Sequence, residues 1–172
     1  KDIQLVSAQL VKDDGKPGDT IETGDTLRIQ LSYVAHRPIR NPAVTVTLER
    51  IDGLICHEAS TRVSGLTWDA WQGSGSMTLE YPQLGLLPHT YVVHAVCHED
   101  QNPVPLARLN DPLYFHITST QPARGAVLLP HTWLIEKLTT DCVKCPKRNF
   151  CDEVAMERLA PDLEDRGGSA GL

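Results

Sequence analysis

The chain has 172 residues, 41% hydrophobic and 22% charged, which suits one domain with a sizeable core followed by a tail. Its formal net charge is −6 and its densest basic cluster is residues 144–148, so no nucleic acid is expected as a partner. No apolar run approaches the ~20 residues that span a bilayer, the first residues do not have the pattern of a signal peptide, and residue 1 is Lys rather than Met, so a piece of a longer protein is expected.

Ile3–Val11 reads as a first strand, and the Asp-, Gly- and Pro-rich stretch 13–19 as a turn. In residues 26–35, Leu27, Ile29, Leu31 and Tyr33 alternate with Arg28, Gln30 and Ser32. Successive strand side chains point to opposite faces, so one set is core and the other wet. Residues 36–42 read as a connection, because Pro38 and Pro42 cannot donate to a central ladder. Val44, Val46 and Leu48 alternate with Thr45, Thr47 and Glu49, and Asp52-Gly53 predicts a tight type I′ hairpin into a strand over 54–61. Residues 64–73 form a loop carrying Trp68, Asp69 and Trp71, and 74–81 a strand. In residues 90–99, Tyr91, Val93, Ala95 and Cys97 alternate with a set containing His94 and His98, and strands over 104–109 and 113–119 follow. The apolar run 126–129 reads as a last strand ending in Pro130-His131-Thr132-Trp133. About eight strands at this spacing predict an all-β fold, an immunoglobulin-like or jelly-roll-like antiparallel β-sandwich over residues 1–133. The remainder, 134–172, is a cysteine-containing tail with a weak helical pattern over 145–159 and an acidic, glycine-ended terminus expected to be disordered.

The chemistry-bearing residues are weighed against a plain structural role. Arg28, Gln30 and Ser32 present planar donors and acceptors on a wet strand face, as sugar hydroxyls require. His94 and His98 extend that surface if their strand shares the sheet. Each of the five serves equally as the ordinary solvated face of a sandwich. Trp68 and Trp71 flank Asp69 in a loop, the placement of an aromatic recognition surface, with capping of the core end by one Trp as the alternative. Trp133 is assigned to packing or a contact with a second copy. Cys97 falls on a buried face, where free Cys behaves as a small hydrophobe. No phosphate-binding Gly-x-x-x-x-Gly-Lys-Ser/Thr loop and no Gly-x-Ser-x-Gly elbow is present. Cys142, Cys145 and Cys151 have the spacing Cys-x-x-Cys-x-x-x-x-x-Cys and offer three of the four thiolate ligands of a zinc site, ahead of an iron–sulfur half-site. The alternative is an appendage with reactive, non-functional thiols. No cofactor is expected for the sandwich.

Several local patterns, in order, resemble the C-terminal domain of Wzt-type ABC transporter ATPases, which export O-antigen polysaccharides. They are Thr23-Gly24-Asp25 with the alternating strand to Tyr33, Arg37-Pro38-Ile39-Arg40-Asn41-Pro42, Arg50-Ile51-Asp52-Gly53, and Gly73-Ser74-Gly75. Leu84-Gly85-Leu86-Leu87 with the Tyr91 strand follows, then the run from Gly125 to Trp133. The family often has Gly before the Tyr strand, where His89 stands here, and the tail after Trp133 departs from its usual form. The resemblance implies a cytoplasmic, non-catalytic β-sandwich that recognises sugars, often a terminal modification, on a lipid-linked glycan awaiting export. It implies a homodimer by exchange of the C-terminal strand, an ATPase upstream, and a transmembrane transporter subunit as partner. The competing readings are an immunoglobulin-like protein-interaction module, and a metal or redox unit in the cysteine tail.

Overall fold

Alternating apolar residues sort the strands into two sheets packed face to face. The computed structural model describes residues 1–12, 15 and 17–134. The strands are β1 (Ile3–Val11), β2 (Pro17–Gly18), β3 (Thr20–Glu22), β4 (Leu27–Arg40), β5 (Pro42–Arg50), β6 (Ile55–Ser60), β7 (Ala70–Tyr81), β8 (His89–Glu99), β9 (Ala107–Arg108) and β10 (Leu113–Thr118). The first sheet has the order β2-β1-β4-β7 and the second β3-β10-β8-β5-β6, with β9 also on β8. The fold is the expected all-β sandwich. One pair, β10 with β3, is parallel, so the second sheet is mixed.

Leu5, Leu27, Ile29 and Leu31 from the first sheet meet Val44, Val46, Leu48, Tyr91, Val93 and Phe115 from the second, all within one buried cluster. Tyr91 stacks on Phe115 at 5.6 Å, and its buried hydroxyl donates to the Leu87 carbonyl at 2.6 Å. That bond lets a phenol sit at full depth without an orphaned polar atom. The apolar faces thus follow the period-two reading.

Five expectations are corrected. The loop expected over 64–73 ends where β7 begins at Ala70, which puts Trp71 in a strand, and the strand expected over 104–109 is reduced to β9, Ala107–Arg108. Residues 36–40 are strand rather than connection. The register of β4 against β7 shifts between Ala35 and Ile39, and Pro38 falls inside that irregularity, where no ladder N–H is needed. The hairpin at Asp52-Gly53 forms, but not as type I′. Only Gly53 has positive φ (92°), its N–H donates to the Arg50 carbonyl at 2.8 Å, and the register shifts between Leu48 and Glu49, the pattern of a type I turn with a glycine bulge. The expected strand over 126–129 is a single bridge, Val127 with Leu86. Its partner segment lies between Pro82 and Pro88 and turns only Leu84, Leu86 and Leu87 inward, too short a run to carry a ladder.

Contacts divide the chain into a compact unit, Lys1–Pro130, which holds all ten strands, and a second, His131–Leu172. Trp133 is 82% exposed. Cys142, Cys145, Cys151 and the helical pattern over 145–159 lie outside the described residues. Among the described residues no helix is long and apolar enough to cross a membrane.

Candidate functional site

Arg28, Gln30 and Ser32 lie on the outward face of β4, the second of two central strands in the first sheet. Register aligns them with neighbours on both sides. Ser32 is flanked by Ser7 and Ser76, Gln30 by Gln9 and Thr78, and Arg28 by Val11 and Glu80. The face is therefore a ladder of hydroxyls and amides. Two rungs are already linked: Gln9 donates to the Gln30 amide oxygen at 2.6 Å, and Arg28 pairs with Glu80 at 2.6 Å.

His94 and His98 belong to β8, in the other sheet. Their outward direction is the opposite one, and the ~10 Å between packed sheets separates them from the Arg28 face. They therefore form no common surface with Arg28, Gln30 and Ser32. His94 instead approaches Glu49 at 3.8 Å.

The two tryptophans part company. Trp71 is 6% exposed and stacks on Tyr33 with ring centroids 4.2 Å apart and planes 13° from parallel. It closes the core end and is not an open recognition residue. Trp68 packs edge-on against Trp71 at 5.3 Å and stays half-buried. Tyr33 reaches this position because its cross-strand partner is Gly75, where a side chain would overlap the ring.

Trp68 opens onto a shallow cleft of about 730 Å3 with Pro38, Arg40, Asn41, Thr67, Asp69, Ala70 and Asp100. Three segments meet there. The chain passes from β4 in the first sheet to β5 in the second through one residue, Asn41, at φ 39°. Asp100, just past β8, has φ 48°, and short polar side chains tolerate this left-handed region best. The Asp100 N–H donates to the Arg40 and Asn41 carbonyls at 3.2 and 3.3 Å, and the Asn41 N–H to the Asp69 carbonyl at 3.2 Å. The Arg62 guanidinium also donates to the Asp100 carbonyl. Residues 40, 69 and 100 are remote in sequence, so only the sheet crossing unites them. The one local signal was the pairing of Asn41 with Pro42, a corner motif.

Beside the cleft, Arg37 makes a two-pronged pair with Glu99 at 2.7 and 2.8 Å and also reaches Asp2 at 2.9 Å. The Arg37 guanidinium, helped by the Arg40 N–H, holds the Glu99 carboxyl down to about 2. This network ties β4 to β8 across the sheets. Burial pushes the Cys97 thiol up to about 11, which leaves it protonated and a poor nucleophile. Among the described residues no group of three His, Cys, Asp or Glu side chains is placed to hold a metal ion.

The sequence matches the model of the Wzt C-terminal domain over residues 1–129. The fold is similar to the crystal structure of the C-terminal domain of Wzt, with a TM-score of 0.69 at 13% identity, covering 78% of this chain and 84% of that one. A putative beta-galactosidase from Bacteroides fragilis aligns with a TM-score of 0.46 at 11% identity, over 65% of this chain and 17% of that one. A comparison with curated proteins gives no match.

Proposed function

Because the chain belongs to the Wzt C-terminal domain family, we propose that it is a non-catalytic carbohydrate-binding module that recognises a lipid-linked, O-antigen-type polysaccharide for export by an ABC transporter. In this reading it works in the cytoplasm, as a homodimer formed by exchange of the C-terminal strand, joined to an upstream ATPase and docked on a transmembrane transporter subunit. The observation that carries the reading is the outward row of β4. Arg28, Gln30 and Ser32 point the same way along one strand, flanked by Ser7, Ser76, Gln9 and Thr78. At ~3.3 Å per residue the regular ladder of β4 on β7, from Leu27 to Ala35, runs for ~26 Å, a length suited to several linked sugars rather than to one.

The mechanism is selective retention. Each hydroxyl exchanges a bond to water for one to protein, with a small net gain, so each site binds weakly. Two sites in a dimer raise the effective affinity when both engage one chain or one membrane-held cluster. The test is calorimetric titration of the chain with the polysaccharide of its own cell and with an unrelated one. The reading expects selective binding that weakens in Gln30→Ala, whereas equal or absent binding to both overturns it.

The protein-interaction reading is favoured by one feature, the tip of the β5–β6 hairpin, where Ile51, Leu54 and Ile55 are 56%, 43% and 60% exposed. It expects a folded chain without glycan affinity.

A further inference from the structure

We infer that the cleft around Trp68 is a sugar-ring subsite: the indole carries the apolar face of one pyranose while Arg40, Asp69 and Asp100 bind its hydroxyls. The inference rests on the carbohydrate-binding reading and names a different part of the molecule from the strand face. Three observations support it.

The first is shape. At about 730 Å3 the cleft falls within the ~300–1,000 Å3 typical of small-molecule sites, and it is open along one side, as a ring that belongs to a longer chain requires. It also lies at the end of the polar row. Arg40 is the last residue of β4 and pairs with Ala70, the first of β7, so the cleft sits on the same strand pair as the row, beyond the irregularity between Ala35 and Ile39.

The second is chemistry. Sugar rings present apolar C–H faces edged with hydroxyls, and the complementary site is one aromatic face ringed by planar charged or amide groups. Trp68, Arg40, Asp69 and Asp100 line the cleft and bring that set of groups: an indole, a donor guanidinium and two acceptor carboxylates, of which Asp100 already accepts from the Asn41 amide at 3.4 Å. Among the described residues the Asp69 side chain has no hydrogen-bond partner and the Arg40 guanidinium interacts only electrostatically, with Glu99, whereas on the strand face Gln30 is held by Gln9 and Arg28 by Glu80. Groups not already engaged can bind a ligand without first breaking an internal bond. With the Arg40 guanidinium at the lining and Arg62 on the Asp100 carbonyl against the carboxylates of Asp69 and Asp100, the charges balance and a neutral sugar fits.

The third is rigidity. Trp68 rests on Trp71, Trp71 on Tyr33, and Tyr33 fits over Gly75, so the indole is held before any ligand arrives. A preorganised ring loses little entropy on binding.

The test titrates the full chain with lipid-free polysaccharide of its own cell, using 1H–15N NMR to follow the Trp68 indole N–H. The inference expects that signal to shift, binding to weaken about tenfold in Trp68→Ala, and a several-fold loss in Asp69→Asn and in Arg40→Gln. Trp68→Phe and Asp69→Asn carry the test if Trp68→Ala fails to fold, with Phe keeping most of the affinity. Unchanged binding in Asp69→Asn and Arg40→Gln with no shift of the Trp68 indole signal, alongside loss in Gln30→Ala, overturns the subsite and leaves the carbohydrate reading standing. No shift anywhere in the folded chain overturns both.

Discussion

Gly75 controls a tryptophan it does not touch. Having no side chain, it leaves room for the Tyr33 ring, which supports Trp71 and through it Trp68. Gly75→Ala is expected to cost about 1–3 kcal/mol in stability by overpacking and to loosen Trp68. Urea unfolding reads the first effect and tryptophan fluorescence the second. An unchanged midpoint with unchanged emission would show that the rings are placed by something else. Glu99 gives a residue-scale pH dependence. Its carboxyl is held near 2 in the folded protein, mainly by Arg37, against an ordinary 4.5. A carboxyl lowered by folding stabilises fully above its unfolded value and loses that contribution as pH falls through the folded one. Thermal stability should therefore decline between about pH 4.5 and 2. Glu99→Gln should flatten that decline, modestly because the pair is partly exposed and screened by salt.

At the scale of elements, the informative pieces are the places where strands bend. β4 runs through Pro38 because the proline sits in a register shift, and β5 returns to the opposite sheet after a single residue, Asn41. The β5–β6 hairpin closes on Gly53 at φ 92° with open space where a Cβ would go, so its requirement is conformational rather than steric. Gly53→Ala should destabilise by about 1–2 kcal/mol, the cost of a left-handed L-residue. Asp52→Ala should do less, since its pair with Arg50 is exposed. Chemical denaturation of the two variants side by side decides between backbone and ion pair as the feature that holds the turn.

At the scale of the molecule, the sandwich has two unlike outer faces. That of β1, β4 and β7 is rich in serine, glutamine and threonine, while that of β5 and β8 carries His94, His98 and Glu49. The cysteine tail belongs to a separate question. If Cys142, Cys145 and Cys151 hold zinc, as their spacing proposes, metal analysis of the purified chain should find it stoichiometrically. Cys145→Ser should then remove the metal without moving the main melting transition. A metal-free chain under reducing conditions would leave the tail without that role.

The sequence by itself determined which residues are core and which are wet. Period two is enforced at every strand by local backbone geometry, so Leu27, Ile29 and Leu31 against Arg28, Gln30 and Ser32 needed no knowledge of partners. It also carried the family, through short motifs preserved in order. What it did not contain was which strand lies beside which. Alternation says that His94 points outward but not from which sheet, and β4 and β8 proved to face opposite ways. It showed two aromatic residues three apart, but the full burial of Trp71 and the half-burial of Trp68 depended on Tyr33, more than thirty residues earlier, and on its cross-strand partner Gly75. The cleft itself was invisible, because Arg40, Asp69 and Asp100 share no local pattern. Local chemistry fixes the face of a side chain; only the packing of one sheet on another decides its neighbours.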